Sequence, residues 1–322
     1  MSDLEQAVTT VVERCLRVRD GETVLVVADP DSTAIGEALL AAARTAGGDA
    51  VLTILPPNPG RGTEPPAPVA AAFAVADVFI APCLPSLSHT SARERACEAG
   101  HRGATLPGVT ADMLARLMST DFDALATRCR AVATLLTDAA DAHLTCPRGT
   151  DLRLDLRGRA GISDEGDLSA PGAFGNLPCG EGFISPAGGE GTIATTSLAL
   201  VGLIEERVLL TVRDGALASA DDGGGGGTGA AARDFLAMLD AHGPPGRNLA
   251  ELGVGTNDRA TLTGNILEDE KILGTAHIAF GASAGIGGTV TVPVHLDVVV
   301  LEPSLRIGDT QVLEAGRWLL DG

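Results

Sequence analysis

The spacing of apolar positions changes several times along the chain, and each change predicts an element. Leu4, Ala7, Val11, Val12, Cys15 and Leu16 recur at helical spacing, which predicts an amphipathic helix over residues 3–19. Glu22–Ala28 (ETVLVVA) is a continuous β-branched run, as expected of a strand buried on both faces. Asp29-Pro30-Asp31-Ser32 predicts a turn and a cap for a helix through about Ala46; Gly47-Gly48 stops it, and Ala50–Leu55 reads as a second strand. After a Pro/Gly-rich loop over Pro56–Pro68, the pattern predicts helix Val69–Val75, strand Asp77–Ala81 and helix Thr90–Ala99. A short strand near Ala104–Leu106 and a helix near Ala111–Met118 follow. Strands alternating with helices imply βαβ units, so residues 1–145 read as an open, mostly parallel α/β domain.

The pattern then changes. Thr150–Leu156 (TDLRLDL) and Arg207–Arg213 (RVLLTVR) alternate apolar and polar residues, as half-exposed antiparallel strands do. Asp221–Gly229, with its run of glycines, reads as a flexible surface loop. Helices are expected at Ala230–Ala241 and within Asn257–Glu270, and two apolar strands joined by a glycine-rich loop within Gly274–Val300. Residues 146–322 therefore read as a strand-rich α+β domain.

Composition narrows the class. A chain of 322 residues, 45% hydrophobic, is long enough for two domains with real cores. A net charge of −19 argues against nucleic acid or an anionic membrane as partner. The polar, acidic start (MSDLEQAVTT) and the lack of a membrane-length apolar run predict a soluble, cytoplasmic protein. Six cysteines without CxxC spacing read as thiols rather than disulfides or a zinc finger. There is one lysine, Lys271, and no tyrosine. No P-loop, complete GxGxxG, HExxH or GxSxG element is present.

Candidate chemistry gathers near the C-terminal end. His295 and Asp297 are two residues apart on one strand and point the same way, and His277 lies on the strand before. Polar groups on an apolar strand need a partner: either a His–Asp hydrogen bond or a metal such as Zn, Mn, Co or Fe meets that need. Glu181 in NLPCGEGFISP and Glu251 in ELGVGTN are acidic residues placed beside glycines. With the histidines and Asp297 they form an inventory suited to two divalent ions sharing a carboxylate. In the first half, PCLPSLSHT (Pro82–Thr90) follows a strand and leads into a helix, where ligands of open α/β sheets bind; His89 there is a capping-turn residue or an acid/base group.

NLPCGEGFISP, then ELGVGTN with LTGNILEDEKILGTAHIAFG, then VHLDVVV, occur in an order that resembles the successive motifs of the M29 metallo-aminopeptidases of the aminopeptidase T/S type. The resemblance covers the C-terminal half, and the N-terminal half is similar to shorter members grouped with them. It implies metal ligands at Glu181, Glu251, His277, His295 and Asp297, two Zn, Co or Mn ions, a homodimer, and a small peptide or amide substrate cut beside its free amino group. Glu181 would move the proton, and His89 is a further candidate catalytic group. Asp269-Glu270-Lys271 matches a family element, which implies a structural ion pair or, alternatively, support for the His277 strand or reach into the site. The family's tyrosine after the first histidine is missing: Ala282–Gly288 reads ASAGIGG. A second reading follows from that departure. An Fe(II) ring-opening dioxygenase acting on dihydroxypyridines looks like a relative of the same scaffold, and would use one iron on His277, His295 and Asp297 with His89 as acid/base.

Overall fold

The computed structural model describes residues 2–57, 64–84, 86–221 and 229–320. Residues 58–63 of the expected loop at Pro56–Pro68 and 222–228 of the glycine run at Asp221–Gly229 lie outside them. The chain forms two compact units, Met1–Thr120 with Gly166–Cys179, and Asp121–Glu165 with Gly180–Gly322. This differs from a single crossing near residue 145, for two physical reasons. Phe174–Asn176 pairs in parallel with Arg102–Thr105, which returns that segment to the first unit. Helix Phe122–Asp138, absent from the predicted elements, buries Val132 and Leu136 in the core of the second unit.

In the first unit, five parallel strands lie in the order Asp49–Ile54, Thr23–Ala28, Val78–Ala81, Arg102–Thr105, Phe174–Asn176. The expected helices appear at Thr33–Thr45, Ala67–Phe73, Ser91–Glu98 and Ala111–Leu117. The opening helix, Asp3–Thr9, continues as a π-helical turn over Thr10–Cys15. Strand order reverses between Thr23–Ala28 and Val78–Ala81, the switch point at which open α/β sheets bind ligands. There the buried Asp29 joins two loops: Oδ1 accepts from the Ser32 amide and hydroxyl, and Oδ2 accepts from the Leu84 amide.

Among the described residues, the second unit is organised on an antiparallel sheet of 13 strands. One run of neighbours is Ile162–Asp164, Glu181–Ile184, Leu249–Gly255, Ala276–Gly281 and His295–Val300. Leu252, Val254, Ile278, Phe280, Leu296 and Val298 from these strands enter one aliphatic core with helices Phe122–Asp138 and Ala230–Asp240. The helix expected within Asn257–Glu270 is confined to Ile266–Asp269, because side chains take up the backbone donors before it. Glu268 accepts from the Thr261 amide, and Asp269 from those of Thr263 and Gly264. All six cysteines are free thiols, and among the described residues no helix is long and apolar enough to cross a membrane.

The opening helix is fastened by one buried side chain. Arg102 donates to the carbonyls of Leu16 and Arg17 at the helix end and makes a two-point contact with Glu22 at 2.7 and 2.9 Å. Burial works to raise the Glu22 pKa, but Arg102 outweighs it and holds the carboxyl below its usual range. Replacing Arg102 by Met is expected to destabilise the protein by about 3–5 kcal/mol in denaturant melts at pH 7. A depressed carboxylate pKa contributes stability above the unfolded value of about 4.3 and loses it as pH falls through the folded value. The wild-type advantage over Arg102→Met is therefore expected to shrink in melts below about pH 4.

Candidate metal centre

Side-chain alternation on adjacent strands builds this site. Register pairs Gly255 with Glu181, Gly253 with His277, Ala279 with both Glu251 and Asp297, and Gly281 with His295. Residues facing one another across neighbouring strands point to the same side of a sheet, as do residues two apart on one strand. Glu181, Glu251, His277, His295 and Asp297 therefore share a face, and the residues between them on that face are small. The alternate positions form the aliphatic core on the other side. Gly253 has a direct role: a Cβ there would lie 2.0 Å from His277 Nε2, so its missing side chain gives the imidazole room to cross the strand.

The five side chains meet. His277 Nε2 stands 3.0 Å from Glu181 Oε2 and 3.2 Å from Glu251 Oε1; His295 Nε2 stands 3.3 Å from Glu251 Oε2 and 3.5 Å from Asp297 Oδ1. Three overlapping triads have donors close enough to share an ion: Glu181–Glu251–His277, Glu251–His295–Asp297, and Glu270–His277–Asp297. Glu251 bridges the two imidazoles. Donors bound about 2.0–2.2 Å from one ion lie roughly 2.9–3.5 Å apart at octahedral or tetrahedral angles, the range found here. Two buried polar atoms, Glu181 Oε2 and His277 Nδ1, have no hydrogen-bond partner. For Glu181 Oε2 this holds despite the nearby imidazole, so the contact is short without being a well-directed hydrogen bond. A cation satisfies such an oxygen. His295 Nδ1 lies 2.8 Å from the Ala282 carbonyl, so it carries the proton and leaves Nε2 free to coordinate. The donor set thus fits a divalent metal.

Electrostatics agree. Burial works against protonating His277, but the Glu181 and Glu251 carboxylates outweigh it and hold the imidazole pKa well above its ordinary value. His295 is likewise raised against burial by Asp297 and Glu251. Burial would raise Glu251, yet the two imidazoles hold it well below the usual carboxylate range. In these pairs a proton takes the place a metal ion can take. The side chains of His277, Glu181 and Glu251 are under 10% exposed, and those of His295 and Asp297 slightly more so, at 14% and 13%.

Asp164 carries no signal in the sequence, whereas Glu270 and Lys271, expected there as a structural ion pair, lie at the site. Lys271 Nζ lies 2.5 Å from Glu181, 2.7 Å from Glu270 and 3.9 Å from Asp164, with its side chain 1% exposed. Burial pushes Glu270 up to about 8 and Asp164 up to about 7, with Lys271 opposing both. A lone lysine in so acidic a chain was the available signal; nothing marked Asp164. His89 belongs to the first unit. It is exposed on the turn before helix Ser91–Glu98, between Thr90, whose hydroxyl accepts from the Arg93 amide, and Ser88, whose hydroxyl is 2.7 Å from that of Thr105. Ser283 Oγ accepts from the Val290 amide within the glycine-rich loop.

Gly253→Ala is expected to displace the His277 imidazole and weaken divalent-metal binding by about 10–100-fold, with the secondary structure retained. Isothermal titration with Mn(II), alongside circular dichroism, measures both.

The family model described as NicX, 2,5-dihydroxypyridine 5,6-dioxygenase, matches residues 3–320. A 2,5-dihydroxypyridine 5,6-dioxygenase of Pseudomonas putida is 24% identical over 245 residues, 71% of this chain and 68% of the relative. The solved structure of 2,5-dihydroxypyridine dioxygenase from Pseudomonas putida KT2440 superposes with a TM-score of 0.83 at 21% identity, covering 100% of this chain and 99% of that one. Wild-type AmpT from Thermus thermophilus superposes with a TM-score of 0.70 at 19% identity over 99% of each chain. The resemblance to the M29 aminopeptidases is thus a likeness of fold, and the family relation lies with the reading set second from sequence. The chain, an enzyme, belongs to the 2,5-dihydroxypyridine 5,6-dioxygenase (NicX) family.

Proposed function

We propose that the protein is a ring-opening dioxygenase that uses one Fe(II) per chain to add both atoms of O₂ to a dihydroxypyridine. The family match over residues 3–320 carries this reading. The site supports it by donor type: two imidazoles and a carboxylate, His277, His295 and Asp297, are those of non-haem Fe(II) oxygenases, and Asp297 shares one close triad with His295 and another with His277. Iron bound there would supply open coordination positions at which an electron-rich ring and O₂ can meet. The substrate itself gives up the electrons, and both oxygen atoms remain in the ring-opened product, so no outside reductant is needed.

The chain's residues divide the remaining work. His295, its Nδ1–H directed at the Ala282 carbonyl, presents Nε2. Glu251, between the two imidazoles, keeps both oriented. The more exposed His295–Asp297 side is where a flat polar ring would enter. His89 is proposed as the acid/base group. The absence of tyrosine weighs against the hydrolase reading, which needs a donor to the tetrahedral oxyanion. Overlapping triads that share Glu251 and His277 are the observation that favours the alternative, a two-metal aminopeptidase-like hydrolase.

Iron content and oxygen uptake separate the two. Protein purified without chelator, or reconstituted anaerobically with Fe(II), is expected to hold near one iron per chain. It should consume one O₂ per 2,5-dihydroxypyridine, and His295→Ala should lower turnover by at least about 100-fold. Two Zn, Mn or Co per chain, with turnover of aminoacyl amides and no oxygen uptake, would overturn the proposal.

A further inference from the structure

We infer that Lys271 is a positioning residue of the metal centre, pinning Glu181 by one oxygen so that the other is presented to the ion beside His277. Lys271 is the only lysine in a chain that otherwise uses arginine for every basic side chain. Its ammonium donates to Glu181 Oε1 at 2.5 Å and to Glu270 Oε1 at 2.7 Å, with Asp164 Oδ2 3.9 Å away. The other Glu181 oxygen, Oε2, is buried, has no hydrogen-bond partner and stands 3.0 Å from His277 Nε2. One carboxylate is thus used at one end by a fixed cation and left open at the other, where the metal-binding triad converges.

The chemistry suits lysine. An ammonium is a compact charge with three donors on a flexible stem, able to reach carboxylates from different elements. Glu181 lies on the strand Glu181–Ile184, Asp164 on the neighbouring strand, and Glu270 beside Lys271 itself, just after the short helix Ile266–Asp269. The backbone around Lys271 is also held: its amide donates to the Glu268 carbonyl, and its carbonyl accepts from the Asn257 amide. Gly255, which pairs with Glu181, has no room for a Cβ because the backbone at Lys271 and Ile272 packs against it. The lysine is placed by its backbone and the carboxylate by the lysine. Removing the ammonium frees Glu181 to rotate and leaves the buried Glu181 and Glu270 and the half-buried Asp164 without their common cation.

This inference rests on the metal-holding reading, adds Glu181 to the donors His277, His295 and Asp297 assigned to iron above, and is independent of the reaction catalysed. Its test is a double-mutant cycle read by metal affinity, using Mn(II) as the probe and electron paramagnetic resonance to count free ion. Lys271→Met alone is expected to weaken Mn(II) binding about 10–100-fold, as loss of a group that orients a ligand does. In a Glu181→Gln background the same substitution is expected to change affinity less than about twofold, because its effect passes through Glu181. Equal losses in both backgrounds would overturn the inference and leave Lys271 a purely structural ion pair. So would a Lys271→Met affinity within twofold of wild type. If Lys271→Met does not fold, the cycle is run with Lys271→Gln, which is neutral, polar and close in length, and the same two outcomes decide. Failure of the wild type itself to bind any divalent ion would instead overturn the metal-centre reading.

Discussion

Burying carboxylates in an aliphatic sheet is the constraint on which the second unit depends. Glu181, Glu251 and Glu270 are each 7% exposed or less, on strands or turns whose other faces are core. An unpaired buried charge loses several kcal/mol of hydration, so such a group persists only with cations or protons beside it. The structure supplies a cation, Lys271, and two imidazoles whose pKa values the neighbouring carboxylates hold above the ordinary value against the pull of burial. A bound divalent ion meets the same demand with more charge and with directed bonds. Affinity for metal and stability of this sheet therefore answer to one requirement.

Room for the ligands comes from residues with little or no side chain. Gly253 clears a path for the His277 imidazole, and Ala279 lies in register between Glu251 and Asp297. Had these positions carried larger side chains, the same ligand residues would have stood apart. Family membership and this geometry bear on different levels. The match over residues 3–320 establishes the family, while the likeness to AmpT is one of fold. Fold alone does not choose between oxygen chemistry and hydrolysis; the ion and its open positions do.

Much of this was legible in the chain. Alternation in ELGVG, AHIAFG and HLDVVV separates core positions from ligand positions, because side chains on a strand alternate faces. The parallel sheet of the first unit followed from its alternating strands and helices. Helix Phe122–Asp138 could have been read too: Phe122, Leu125, Cys129, Val132 and Leu136 recur at helical spacing, and Asp121 caps it by accepting from the Asp123 and Ala124 amides. The return of Gly166–Cys179 to the first unit could not, since its pairing with Arg102–Thr105 joins residues some seventy positions apart.

By itself, then, the sequence determined which residue types face the core and which face the site, since that depends only on local periodicity. It also determined the donor inventory of two histidines and three carboxylates. Tertiary structure decided the order in which the strands pair, and so which carboxylate meets which imidazole. It decided that Gly253 faces His277, and that Lys271 turns inward to Glu181 instead of lying on the surface. Those outcomes depend on register between segments distant in the chain, and on how three carboxylates around one lysine could be neutralised together. Periodicity along a single strand carries no information about either.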